Sequence, residues 1–230
     1  MTRPIPWTVA DCVRGAAFVV VVRGGLAILS RAIHGEWMQL PSSPGGGLAA
    51  VLSAAALLLV PLYLFAIRRG ALPRDFGFVG FAFWPAIRWI ARGWVIWAAL
   101  ALPWGLLMVH FGTRMQPNML RVFGVGWRAY ILALMFGAIV APLTEETFFR
   151  GFLFTGLRER YPLWTAAGIS GLLFGLIHFM PLALPPLTLY GIIFAWLRER
   201  TGSIWPGILM HALVNAGGFT VQFAADHAAR

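Results

Sequence analysis

The sequence predicts an all-α protein, a polytopic membrane bundle of about seven transmembrane helices, and three observations carry that prediction. Of its 230 residues, 60% are hydrophobic and 11% charged, against roughly 45–50% and about 25% in soluble domains. Apolar runs of about 20 residues, the length that crosses a bilayer, recur along the chain. Clusters of charge, Pro and Gly break them into separate spans. This composition excludes intrinsic disorder and argues against a soluble enzyme or a nucleic-acid binder. The formal charge of +10 reads as loop arginines facing anionic lipid. With Cys12 alone, there is no internal disulfide, cysteine zinc cluster or iron–sulfur site to build.

The first span, roughly 8–32, is interrupted by Asp11, Arg14 and Arg23; Asp11 and Arg14 are three apart and can pair on one face. The second, roughly 48–67, is uninterrupted (LAAVLSAAALLLVPLYLFAI). The others fall at about 89–111, 127–143, 163–180, 186–197 and 203–224. The start, MTRPIPW, shows no signal-peptide cleavage pattern. No internal repeat or linker divides the chain, so 1–230 is expected to form one membrane-embedded domain, with a motif-bearing core at about 127–224. Trp7, Trp37, Trp84, Trp89, Trp127, Trp164, Trp196 and Trp205 stand near the proposed span ends, where indole prefers the interface.

All 18 basic residues are arginine. This suggests G+C-rich coding and a bacterial source, and it removes lysine chemistry. Nine arginines (3, 68, 69, 74, 88, 158, 160, 198 and 200) fall in one set of loops, and five (31, 114, 121, 128 and 230) in the other. The positive-inside rule then puts the N-terminus in the cytoplasm. The expectation is a multi-pass protein of a bacterial inner membrane.

Among the eight carboxylates, Glu145 and Glu146 stand out because they lie inside an apolar stretch. An ionisable group there costs about 2.5–3.5 kcal/mol on insertion scales. Glu146 and Arg150 are four apart, in the order that favours a salt bridge. Glu145 points about 100° away and lacks that explanation. Pro142 removes a backbone donor and predicts a kink, with Thr144 as a possible cap of a restarting helix. His178 closes the fifth span one turn after Phe174, and His211 and Asn215 share a face of the seventh. Taken singly, these are an ordinary structural histidine and interhelical packing glue. Together, in lipid, such groups turn inward and meet, and a carboxylate, two imidazoles and an amide make a plausible hydrolytic site.

At these residues the sequence resembles the CPBP family, intramembrane glutamic endopeptidases related to the type II CAAX prenyl proteases and also called Abi proteins. The pattern EExxxR reads Glu145-Glu146-Thr147-Phe148-Phe149-Arg150, with a small residue, Gly151, following. FxxxH reads Phe174 to His178, and HxxxN reads His211 to Asn215. The resemblance covers about 140–220. It implies an endopeptidase that acts on a membrane-associated peptide or protein and needs no cofactor. Glu145 would be the general base aided by His178, His211 and Asn215 would hold the oxyanion, and Glu146, Arg150 and Phe174 would support them.

Two other readings remain open on the residues alone. Glu145, His178 and His211 could form a catalytic zinc set, although no HExxH pattern is present. Buried Glu, His and Arg also serve proton relays in transporters, and a non-catalytic membrane partner would carry the same residues.

Overall fold

A computed structural model of the chain describes residues 4–35, 41–113 and 116–228. Arg3, Glu36, Trp37, Arg114 and Arg230, which bear on span ends and orientation, lie outside the described residues. Among the described residues, seven helices form the bundle: α1 (Val9–His34), α2 (Pro44–Phe65), α3 (Phe83–His110), α4 (Gly126–Arg158), α5 (Leu163–Leu176), α6 (Leu184–Thr201) and α7 (Trp205–Ala228). No strand occurs among the described residues. Six of the helices are long and apolar enough to cross a membrane, and α5, with 14 residues, is shorter. The chain is a multi-pass integral membrane protein.

The interruption in the first span is a terminus device. Thr8 caps α1 and Asp11 returns the hydrogen bond to the Thr8 backbone. Asp11 pairs with Arg14 as expected, at 3.1 Å, and also with Arg69 beyond α2. Its charge is therefore compensated from two sides.

Two expectations are corrected. The fourth span does not stop at 143: α4 continues to Arg158. Thr144 does not cap a restarting helix: the helix runs through it, and its hydroxyl donates back to the Val140 and Ala141 carbonyls. The helix absorbs the missing donor by widening to i→i+5 hydrogen bonding over Ala133–Val140, and it widens again over Thr147–Phe154. Such widened stretches collect at functional sites. The second correction concerns Trp7. It is buried, stacked on Phe76 at 5.1 Å, and its indole N–H donates to the Phe152 carbonyl at 3.1 Å. It is a core side chain; Trp84, Trp127 and Trp164 are exposed at helix starts as expected.

The main core forms around the end of α4, where all residues from Thr147 to Phe154 are buried. Against it α5 and α6 pack backbone to backbone: a Cβ at Gly191 would stand 2.4 Å from the Gly171 Cα. Small residues make such close approach possible in a membrane. Gly151 admits the 73–77 turn likewise, since a Cβ there would meet the Phe76 carbonyl oxygen at 2.9 Å.

Candidate active site

Glu146 is fully buried and its Oε1 is the hub of the polar cluster. It accepts from Arg150 Nη1 at 2.9 Å and stands 3.1 Å from His211 Nδ1. The expected Glu146–Arg150 pair is present, and it has a second partner that spacing alone could not reveal. Arg150 also donates to the Gly191 carbonyl at 3.0 Å, a contact that the close α5–α6 approach permits. Its guanidinium lies over Phe174 and Phe194, at 4.6 and 5.0 Å from the ring centres. A buried cation so surrounded is held by charge, hydrogen bonds and ring faces together.

Because an ionised carboxylate can only accept, the hydrogen between Glu146 and His211 belongs to Nδ1. That fixes the imidazole tautomer and orientation. His211 Nε2 then faces Glu145, 3.9 Å from its Oε2. Phe194 stacks on the ring at 5.1 Å and Phe174 meets it edge-on at 5.7 Å.

Glu145 stands apart from its neighbour. Its side chain is 18% exposed, and its buried Oε2 has no hydrogen-bond partner. It faces a cavity of about 590 Å³ whose walls also carry Phe174, His178, His211 and Asn215. The four predicted catalytic residues therefore do share one cavity. Leu213, Gly217 and Gly218, exposed residues midway along α7, line it as well.

His178 sits just past the end of α5, not inside the helix. Its Nδ1 donates to the Phe174 carbonyl at 2.7 Å, which leaves Nε2 as the acceptor nitrogen. The chain turns away at once through Phe179, whose φ of 54° is the one positive value at a non-glycine among the described residues. Such outliers cluster at functional sites. No direct hydrogen bond joins Glu145 to His178; they share the cavity wall.

Asn215 reaches a different point from His211. Its amide donates to the Gly137 carbonyl at 2.9 Å. In the widened register Ala141 N–H bonds to Phe136 O, so Pro142, next in line, leaves Gly137 O without its backbone donor. Asn215 supplies that bond, and one amide hydrogen remains.

Sequence reasoning noted Arg23 only as a break in the first span. It lines the cavity, and its Nη2 donates to the carbonyl of Ile177, the residue before His178. The available signal was an arginine deep in an apolar span, the same signal that picks out Arg150.

Among the described residues, no three or more His, Cys, Asp or Glu side chains are gathered so as to hold a metal ion.

Fold and site together define a class: a helical membrane protein whose intramembrane polar residues converge on one cavity. Residues 127–217 match the family described as type II CAAX prenyl endopeptidase Rce1-like. The likeness read from the three motifs holds over the segment that carries them. One similar relative is the "Putative membrane peptidase YdiL" of Bacillus subtilis (strain 168), 35% identical over 88 residues, 38% of this chain and 36% of that protein. Another is an "Uncharacterized 24.3 kDa protein" of Escherichia coli, 40% identical over 86 residues, 35% of this chain and 40% of that one. The matched part thus spans well under half of each curated relative. No solved structure matches the chain.

Proposed function

We propose that the chain is an intramembrane endopeptidase of the glutamic type, hydrolysing a peptide bond of a membrane-associated peptide or protein in the bacterial inner membrane. One observation carries this reading. Of two adjacent glutamates, Glu146 is fully buried and holds Arg150 and His211 through Oε1, while Glu145 is partly exposed and lines a cavity together with two imidazoles.

In this mechanism a water held by Glu145 and by His178 Nε2 attacks the scissile carbonyl carbon. Glu145 takes the proton, and the carbonyl π pair moves onto oxygen. His211, carrying its second proton, donates from Nε2 to that oxyanion, and the free amide hydrogen of Asn215 donates beside it; one good donor of this kind is worth about 3–4 kcal/mol. Collapse breaks the C–N bond, and the proton on Glu145 passes to the leaving amine, giving an acid and an amine. Glu146 and Arg150 orient His211, and Phe174 packs against both histidines.

The test begins by comparing membrane and secreted peptides from cells with and without the protein. Candidate substrates then meet purified protein in detergent. Glu145→Gln preserves shape but removes the base, and positioned general bases contribute about 10²–10⁴-fold. Cleavage should fall by that factor while the melting temperature stays near wild type. Full cleavage by Glu145→Gln, or stoichiometric zinc with loss of activity in chelator, overturns the reading.

A further inference from the structure

Two hydrogen-bond donors on the cavity wall are left unused by this mechanism. Tyr190 on α6 is 7% exposed, and its hydroxyl is buried without a partner. The indole nitrogen of Trp97 on α3 is buried without a partner too. Both residues line the cavity that holds Glu145 and His211. Their rings stack at 4.6 Å and 20°. Tyr190 in turn stacks on Phe194, and Phe194 on His211. A column of near-parallel rings thus runs from α3 to the proposed oxyanion donor.

A buried polar hydrogen without an acceptor is costly, and phenylalanine would fill the Tyr190 position without that cost. The fold is able to satisfy indoles elsewhere. Trp104, two turns along α3, donates to the Leu182 carbonyl at 2.8 Å, and Trp7 donates to Phe152. Trp97 and Tyr190 therefore keep two donors in reserve beside the reacting groups.

We propose that Trp97 and Tyr190 form a subsite for the backbone of an unwound or extended peptide, their N–H and O–H donating to its carbonyl oxygens. This rests on reading the cavity as a protease site and adds a substrate class to it. An intact transmembrane helix spends its carbonyls internally, so neutral donors select a segment that has left the helical state. Cleavage needs the same state, since attack requires an accessible carbonyl. The apolar ring faces pack the chain's hydrophobic side chains. Both polar atoms are covered in this conformation, so the rings shift as a chain slides between α3 and α6.

The experiment measures binding of a dye-labelled Leu/Ala membrane peptide with a central Gly-Pro break to the detergent-solubilised Glu145→Gln protein, which does not consume it. Tyr190→Phe and Trp97→Phe are added to that background singly, and each protein is also melted without peptide. Tyr190→Phe should weaken binding about 3–10-fold, as loss of one hydrogen bond does, while melting at the same temperature or higher. Trp97→Phe should weaken binding to a similar degree. Unchanged binding in both variants overturns the subsite, as does a lower melting temperature for Tyr190→Phe, which would mean that the hydroxyl has a partner within the folded protein. Peptide binding that depends on Tyr190, with no cleavage by wild type, keeps the subsite and removes the protease reading.

Discussion

The end of α4 and the first three helices make opposite use of apolar residues. From Thr147 to Phe154 every residue is buried, and the phenylalanines pack around one another, Arg150 and Phe174. On α1 and α3 many large apolar side chains face outward, among them Val21, Ile28, Val95, Leu100, Leu106 and Val109. In water such a surface would aggregate; here lipid covers it. The first region specifies one arrangement of polar groups, and the second mainly matches a solvent. Substitution should therefore have large effects in the first and small ones in the second.

The largest effect is expected at the buried pair. Glu146→Gln leaves Arg150 without its carboxylate and His211 without its acceptor. Breaking a buried pair costs about 3–5 kcal/mol. Arg150→Gln should cost a similar amount, and the double variant should recover part of the loss because the two share one interaction. Thermal melts in detergent measure all three. Activity of Glu146→Gln should fall as well, since His211 loses its orienting partner. A well-folded Glu146→Gln protein without activity, beside an active Glu145→Gln protein, would exchange the roles given to the two glutamates.

What sequence could read follows the same division. Seven helices, the lipid setting and the Glu146–Arg150 pair were legible because hydropathy and i,i+4 spacing act locally, and the shared cavity because polar groups in lipid turn inward. The length of α4 was not, because a proline reads as a break and only the three-dimensional register shows Asn215 replacing its missing bond at Gly137. Trp7 looked like an interface residue until Phe76 and Phe152 were seen to enclose it. His211 as a partner of Glu146 was hidden by the 65 residues between them. Arg23 belongs to a helix outside the three motifs, so only its place deep in an apolar span pointed to it.

A smaller effect separates two glycines of α5. Gly171 meets α6 so closely that a Cβ would lie 2.8 Å from the Thr188 carbonyl oxygen, whereas a Cβ at Gly168 would find nothing within 4 Å. Gly171→Ala should therefore destabilise by about 1–3 kcal/mol, as overpacking does. It should also impair cleavage, because α6 carries the Gly191 carbonyl that holds Arg150. Gly168→Ala should be neutral or stabilising by up to about 1 kcal/mol, the helix-propensity difference. Equal melts for the two variants would mean that α5 and α6 are free to part.

The smallest effect is expected on α3, at Val95, which is 69% exposed midway along the helix. Lipid tails are as apolar as the side chain itself, so trimming it loses no hydrophobic burial within the protein. Val95→Ala also removes a β-branch that a helix slightly disfavours. Its melting free energy should stay within about 0.5 kcal/mol of wild type. Val95→Asp is the sharper probe, because a charge at the centre of a span costs about 2.5–3.5 kcal/mol on insertion scales, and membrane yield should drop accordingly. If Val95→Ala instead lowers stability by more than about 1 kcal/mol in a manner that depends on protein concentration, this face packs against a second copy. The outer helices would then specify an assembly, and their contrast with the end of α4 would fail at that surface.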